Sequence, residues 1–167
     1  MEWSKLTRRL IEMSAEEDLG RTGDITSSLL PDAGERIAGR VVARKPGVAA
    51  GLALLPLIAE VFGERLDAEF EIAPAAGTAD GAAISAGQAL ATVGGPAAAV
   101  LSLERSLLNF LTRLCGVATL TRRYVDAAAQ GNPAARVLDT RKTIPGWREL
   151  DKYAVRCGGG HSHRMGL

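Results

Sequence analysis

Cysteine is scarce: Cys115 and Cys157 are the only two in 167 residues, and they fit neither a disulfide framework nor a closely spaced metal pair. Both are expected as reduced, structurally buried thiols in a cytoplasmic protein. An excess of either charge is missing as well, since 20 Lys plus Arg face 19 Asp plus Glu for a formal net charge of +1. That balance argues against a surface that holds nucleic acid by neutralising phosphates, so any preference for anions must be local. No apolar run reaches the ~20 residues that span a bilayer, and Met1-Glu2-Trp3-Ser4-Lys5 has no basic region leading into an apolar signal core. A soluble, unexported chain with no membrane partner is expected. Aromatic residues amount to only 4%, yet 47% of the chain is hydrophobic, which excludes wholesale disorder and is enough for a real core.

Helical spacing of Trp3, Leu6, Leu10, Ile11 and Met13 predicts an amphipathic helix from Trp3 to Asp18, with Gly20 suited to its C-cap. Arg21 to Asp32 reads as a loop, and Arg36 to Arg44 as a strand with one solvent face, ended by Lys45-Pro46-Gly47. A buried helix follows from Leu52 to Phe62, with Pro56 in its first turn and Gly63 placed to end it. Ala68 to Ile72, Ala82 to Ile84 and Ala89 to Val93 read as short strands of a small sheet. From Pro96 to Ala129 the Leu- and Ala-rich pattern predicts two helices broken around Cys115-Gly116, with a domain change in this region. Arg136 to Thr140 is then a strand candidate, followed by a loop and a helix from Trp147 to about Cys157. A charged loop at the carboxyl end of such a strand is where α/β barrels carry their chemistry.

Chemistry is concentrated in two short segments. Asp139-Thr140-Arg141-Lys142-Thr143 offers a guanidinium fork, a compact ammonium and a hydroxyl, a set suited to carboxylate or phosphate oxygens. Gly158-Gly159-Gly160-His161-Ser162-His163-Arg164 adds imidazoles and a second guanidinium after glycines that let backbone approach a ligand closely. The alternative for each is a solvated basic loop. His161 and His163 without an acidic or thiolate neighbour make a weak zinc signal. Arg105, between Leu101 and Leu108 on a helix, is expected near that helix's buried edge.

These residues carry a resemblance. Glu17-Asp18-Leu19-Gly20, Gly23-Asp24-Ile25-Thr26, Ala50-Gly51-Leu52, Glu104-Arg105, Leu108-Asn109-Phe110, Cys115-Gly116-Val117-Ala118-Thr119, Asp139 to Gly146 and Lys152 to Gly160, continuing to Gly166-Leu167, resemble the quinolinate phosphoribosyltransferases across essentially the whole chain. The resemblance implies an α/β fold: an N-terminal α/β sandwich domain with its following helix over 1–115, then the first part of an incomplete α/β barrel over 116–167. It implies transfer of a phosphoribosyl group from phosphoribosyl pyrophosphate to quinolinate, with release of carbon dioxide and pyrophosphate, in NAD biosynthesis. Thr140 joins the substrate-binding set, Arg141, His163 and Arg164 would hold the carboxylates, and Lys142 would stand between the substrate and the phosphoribosyl donor as the catalytic residue. Arg105 would reach a neighbouring subunit's site across a homodimer or larger assembly. Magnesium is the implied cofactor, with its ligands beyond Leu167. Ser162 departs from the Asn of many members, which bears on local loop geometry.

The resemblance also places a further lysine, acidic residues for the ribose and glycine-rich phosphate loops past Leu167. A truncated enzyme without appreciable activity on its own is therefore expected, with a fragmentary gene preferred over a natural short form. Two other readings compete: a paralogous phosphoribosyltransferase of the same fold, of the molybdenum-transport-associated or nicotinate-specific type, and a non-catalytic N-domain that pairs with longer subunits through the surface bearing Arg105.

Overall fold

The computed structural model describes residues 2–20, 24, 27, 32 and 34–163; the predicted loop over Arg21 to Asp32 lies largely outside them. Helix α1 spans Lys5–Leu19. Ser4 starts it by accepting the Thr7 N–H at 3.2 Å, a side-chain N-cap that satisfies one of the donors a helix start leaves over. Gly20 closes it at φ 53°, as the sequence predicts. Thr7, Ile11, Ala15 and Leu19 form the buried stripe, repeating every three to four residues as a helix face must.

Three strands, β1 (Arg36–Val42), β3 (Glu71–Pro74) and β5 (Ala89–Pro96), make an antiparallel sheet in the order β1-β5-β3. Arg36 pairs with Pro96 and Val41 with Ala91, and the register shifts between Val41 and Val42. Leu90, Ala91 and Val93 of the central strand are buried, whereas most of edge strand β1 is exposed. A second pair, β2 (Gly47–Val48) with β4 (Ala83–Ile84), is also antiparallel. Relative to the sequence reading, β3 starts at Glu71 instead of Ala68, and β5 runs on to Pro96.

Helix α2 covers Leu55–Leu66 after a 3-10 turn at Leu52–Leu54, with proline in its first turn. Gly63 does not end it. The chain continues to Leu66 and turns at Asp67, which has φ 49° and donates its N–H to the Gly63 carbonyl. A Cβ on Gly63 would stand 2.9 Å from the Ala68 carbonyl oxygen, so this glycine makes room for the closing turn from one turn upstream.

The expected break at Cys115-Gly116 is absent. Helix α3 is continuous over 35 residues, Ala97–Gly131. Its buried face, which includes Leu103, Leu107, Phe110, Leu111, Leu114, Ala118 and Thr121, passes through the glycine without interruption. Interior glycine costs a helix about 1 kcal/mol relative to alanine, which a packed face of this length readily offsets. Helix α4 spans Arg148–Cys157, with Glu149 and Asp151 in its first turn and Arg156 in its last, the arrangement that complements the helix dipole. Its Leu150 and Ala154 join the one core cluster that includes Ile11, Leu54, Leu55, Ile58, Phe62 and Leu103.

The predicted strand from Arg136 to Thr140 is reduced to a single parallel bridge, Leu138 with His161. A strand is defined by its neighbours, and among the described residues the His161 segment is the only one that pairs here.

Candidate functional site

Helix α4 is fastened to the rest of the molecule before it contributes to any site. The Glu149 carboxylate accepts the Ser4 hydroxyl at 2.5 Å and the Ser4 N–H at 3.3 Å, and also the Thr7 hydroxyl. Arg113 of α3 donates to Asp151 at 2.9 Å and lies 4.6 Å above the ring of Trp147, which stacks on Phe110. The Tyr153 hydroxyl donates to Asp80 at 2.5 Å. Asp80 also accepts the Leu52 and Ala53 N–H groups, and Trp3 meets the Tyr153 ring edge-on.

On its other flank α4 presents Lys152, whose Nζ lies 2.6 Å from Asp139 Oδ1. Only 8% of the lysine side chain and 3% of the aspartate side chain are exposed. The same oxygen accepts the His163 backbone N–H at 2.9 Å. Asp139 and His161 are further joined by the Asp139 N–H donating to the His161 carbonyl and the His161 N–H donating to the Val137 carbonyl. Burial pushes the Asp139 carboxyl up, but the Lys152 hydrogen bond, the His163 N–H and the lysine's charge together outweigh it and hold the group below the ordinary aspartate range. The Ser162 hydroxyl is near enough to favour the charged form, although it falls outside hydrogen-bond geometry, as does Asp139 Oδ2.

Above this pair is a pocket of about 340 Å³ whose lining includes Thr140, Lys142, Thr143, Asp139, Lys152, Arg113 and Asp151. Of the residues singled out from sequence, Thr140 and Lys142 line it, while Arg141, His163 and Arg105 do not. Arg141 and His163 are exposed on the same two segments. The Thr140 hydroxyl accepts the Lys142 N–H at 3.1 Å, and Arg148 donates to the Arg141 carbonyl at 3.3 Å. The side chains of Arg141, Lys142 and His163 make no hydrogen bond or ion pair among the described residues. Arg164 lies outside the described residues.

Arg105 departs from expectation. Its side chain is 77% exposed, and its guanidinium stands 3.6 Å from Asp18. The reason is angular: Ser102, Leu103, Ser106 and Leu107 take the buried face of α3, which leaves position 105 outside it. Two of the three glycines also do structural work. A Cβ at Gly158 would stand 2.5 Å from the Ala118 carbonyl oxygen, and one at Gly160 2.6 Å from Val155 Cγ1. Their smallness lets the end of α4 fold closely on itself and against Ala118 and Thr121 of α3.

Both cysteines are free and partly buried. Burial, followed by the charge of Asp80, pushes the Cys157 thiol up to about 11. Burial raises the Cys115 thiol also, against the Ala50 contact that lowers it. Both therefore stay protonated at neutral pH and make poor nucleophiles. Sequence reasoning gave Asp139 and Lys152 no role. The available signal was an acid standing directly before a cationic run, because such a group needs a partner that keeps it from neutralising its neighbours.

Comparison with known proteins fits this arrangement. Residues 24–115 match the family model for the quinolinate phosphoribosyl transferase N-terminal domain, and residues 117–167 match the one for its C-terminal domain. The chain belongs to the quinolinate phosphoribosyltransferase family. It is 42% identical over 162 residues to the nicotinate-nucleotide pyrophosphorylase [carboxylating] of Mycobacterium leprae, an alignment covering 96% of this chain and 54% of that protein. The probable enzyme of the same name from Bacillus subtilis is 38% identical over 161 residues, with 96% and 52% covered. The solved nicotinate-nucleotide pyrophosphorylase from Francisella tularensis superposes with a TM-score of 0.83 at 34% identity, covering 100% of this chain and 56% of that one. The chain thus spans about half the length of the relatives it matches. The boundary between the two matched models falls inside α3.

Proposed function

We propose that this chain supplies the N-terminal domain, over about 1–115, and the first barrel segment, over 116–167, of an enzyme that makes nicotinate mononucleotide from quinolinate and phosphoribosyl pyrophosphate. The observation that carries the reading is the distribution of charge. Asp139 and Asp151, the acids of the pocket, are already engaged by Lys152 and Arg113, which leaves Arg141, Lys142 and His163 as donors without a partner among the described residues, on two adjoining segments. Quinolinate brings two adjacent carboxylates, and fork-shaped or charged donors bind such groups at closely defined positions.

In this reading Arg141, His163 and Arg164 hold the carboxylates, with Thr140 shaping the loop. Lys142, projecting at the pocket, stabilises charge between the acid and the phosphoribosyl donor. The ring nitrogen bonds to the ribose carbon as the bond from that carbon to pyrophosphate breaks. Carbon dioxide then leaves, and the electrons of the broken carbon–carbon bond take up a proton on the ring. Magnesium is the cofactor proposed with the pyrophosphate donor. Among the described residues no group of three or more His, Cys, Asp or Glu could hold it.

A homodimer in which Arg105 serves the neighbouring subunit is part of the proposal. It is supported by the exposure of Arg105 and by a groove of about 670 Å³ beside it, lined by Ile37, Val41, Val93, Leu101 and Leu108 among others. A cytoplasmic location is proposed from the two free thiols. Among the described residues no helix is long and apolar enough to cross a membrane.

Calorimetric titration with quinolinate tests the reading. Saturable binding is expected, lost in Arg141→Ala and weaker for nicotinate, which has one carboxylate fewer. Equal or tighter binding of nicotinate would assign the pocket to a monocarboxylate and overturn it.

A further inference from the structure

An aspartate immediately before Thr140-Arg141-Lys142 is a liability for an anion site, because a carboxylate among cations tends to neutralise them. Here one oxygen of that carboxylate is engaged, although Asp139 still lines the pocket. Lys152 Nζ lies 2.6 Å from Asp139 Oδ1, and the same oxygen accepts the His163 N–H at 2.9 Å. Lys152 is itself a fixed point. Its neighbours on α4 are tied to Ser4 through Glu149, to Arg113 through Asp151 and to Asp80 through Tyr153. With 8% and 3% of their side chains exposed, neither member of the pair is free to serve as the principal ligand of a bound anion.

We infer that Asp139 and Lys152 are a positioning pair: Lys152 anchors the Asp139 carboxylate to α4, and that carboxylate fastens the His161–His163 segment beside Thr140–Lys142 while leaving Arg141, Lys142 and His163 without a partner among the described residues. Two backbone bonds join the same segments, the Asp139 N–H to the His161 carbonyl at 2.9 Å and the His161 N–H to the Val137 carbonyl at 2.8 Å. Their direction is set by a strand bridge, whereas the turn at His163 is held by the carboxylate. A buried ion pair is weak evidence of stabilisation, and geometric specificity is the better-attested reason to keep one. The inference deepens the transferase reading and rests on it only for what the cations bind.

Two neutral replacements of the pair separate positioning from bulk stability. D139L/K152M removes both the charges and the acceptor for His163, and D139N/K152M removes the charges but keeps an oxygen at that place. Amide hydrogen exchange is followed at His163, with Gly158 and Gly160 as internal controls because their N–H groups bond to the Ala154 and Val155 carbonyls of α4. In D139L/K152M, exchange at His163 is expected to quicken by about tenfold or more while the two glycines hold their native rates. D139N/K152M is expected to keep most of the His163 protection.

Unchanged exchange at His163 in D139L/K152M overturns the inference. So does equal quickening at the glycines, or failure of both variants to fold, since the pair would then support the fold at large. Quinolinate titration of the native chain is read separately. Selective loss of His163 protection in D139L/K152M with no quinolinate binding by the native chain would show that these donors alone do not hold the dicarboxylate, and would leave the positioning pair standing.

Discussion

Up to the end of α3 the large apolar side chains are mostly covered: Ile11, Leu54, Leu55, Ile58, Phe62 and Leu103 have no exposed surface. Between 132 and 149 the situation reverses, and Leu138 and Ile144 are each 53% exposed. The first region is held by burial and the second by charge, through Lys152 with Asp139, Arg113 with Asp151 and Glu149 with Ser4. Helix α4 belongs to both, because Leu150 and Ala154 enter the first region's core while Lys152 faces the second. The site is therefore a polar attachment oriented by a core that contributes little to its chemistry. Residues that decide stability and residues that decide loop geometry should separate under mutation.

The largest effect expected is from Phe62→Ala. Phe62 is fully buried in the common cluster, and emptying such a site costs roughly 3–5 kcal/mol from lost burial plus the cavity left behind. Urea unfolding followed at Trp147 is expected to shift together with far-ultraviolet circular dichroism, since α4 shares that core. If the Trp147 transition stays in place while the helical one moves, the two regions fold independently and the comparison fails.

Lys152→Met acts on the other region. Removing one member of a buried pair leaves the other charge uncompensated, with a cost of about 3 kcal/mol. The Asp139 carboxyl is held below its ordinary value of ~3.9 in the folded chain. Its contribution is thus present above that value and lost as pH falls through the lower folded one. Native stability is expected to decline on acidification below about pH 4, and a variant without the pair should show a flatter curve across that window. An identical acid limb in both proteins would mean that Asp139 is not paired in solution.

How much of this was legible in the sequence follows the same division. Periodicity found α1, β1, β3, β4, β5 and α4 to within a few residues, because burial writes itself into apolar spacing, but it missed β2 and predicted a strand from Arg136 to Thr140 where there is a single bridge. It misread Gly63 and Gly116 as helix ends, since a glycine's local preference is overruled once a packed face continues past it. The candidate donors Arg141, Lys142 and His163 were visible as residues, although only Lys142 lines the pocket. The ties of Asp139 were not, because a contact between residues 13 and 24 positions apart leaves no period to read. Arg105 was placed at a buried edge from its leucine neighbours, although helix geometry gives that face to positions 102, 103, 106 and 107.

Gly116→Ala gives the smallest effect and probes the helix that links the two regions. Position 116 is exposed, and a Cβ there would meet no atom within 4 Å, so the substitution changes little except backbone entropy. In a continuous helix it should stabilise by about 1 kcal/mol, raising the thermal midpoint by a few degrees at this chain length. A break at Cys115-Gly116, with the glycine in a conformation closed to alanine, would make the same change destabilising. The sign of the shift therefore decides whether the charged region is carried on a rigid extension of the core or on a joint, and a rigid α3 requires that it be positive.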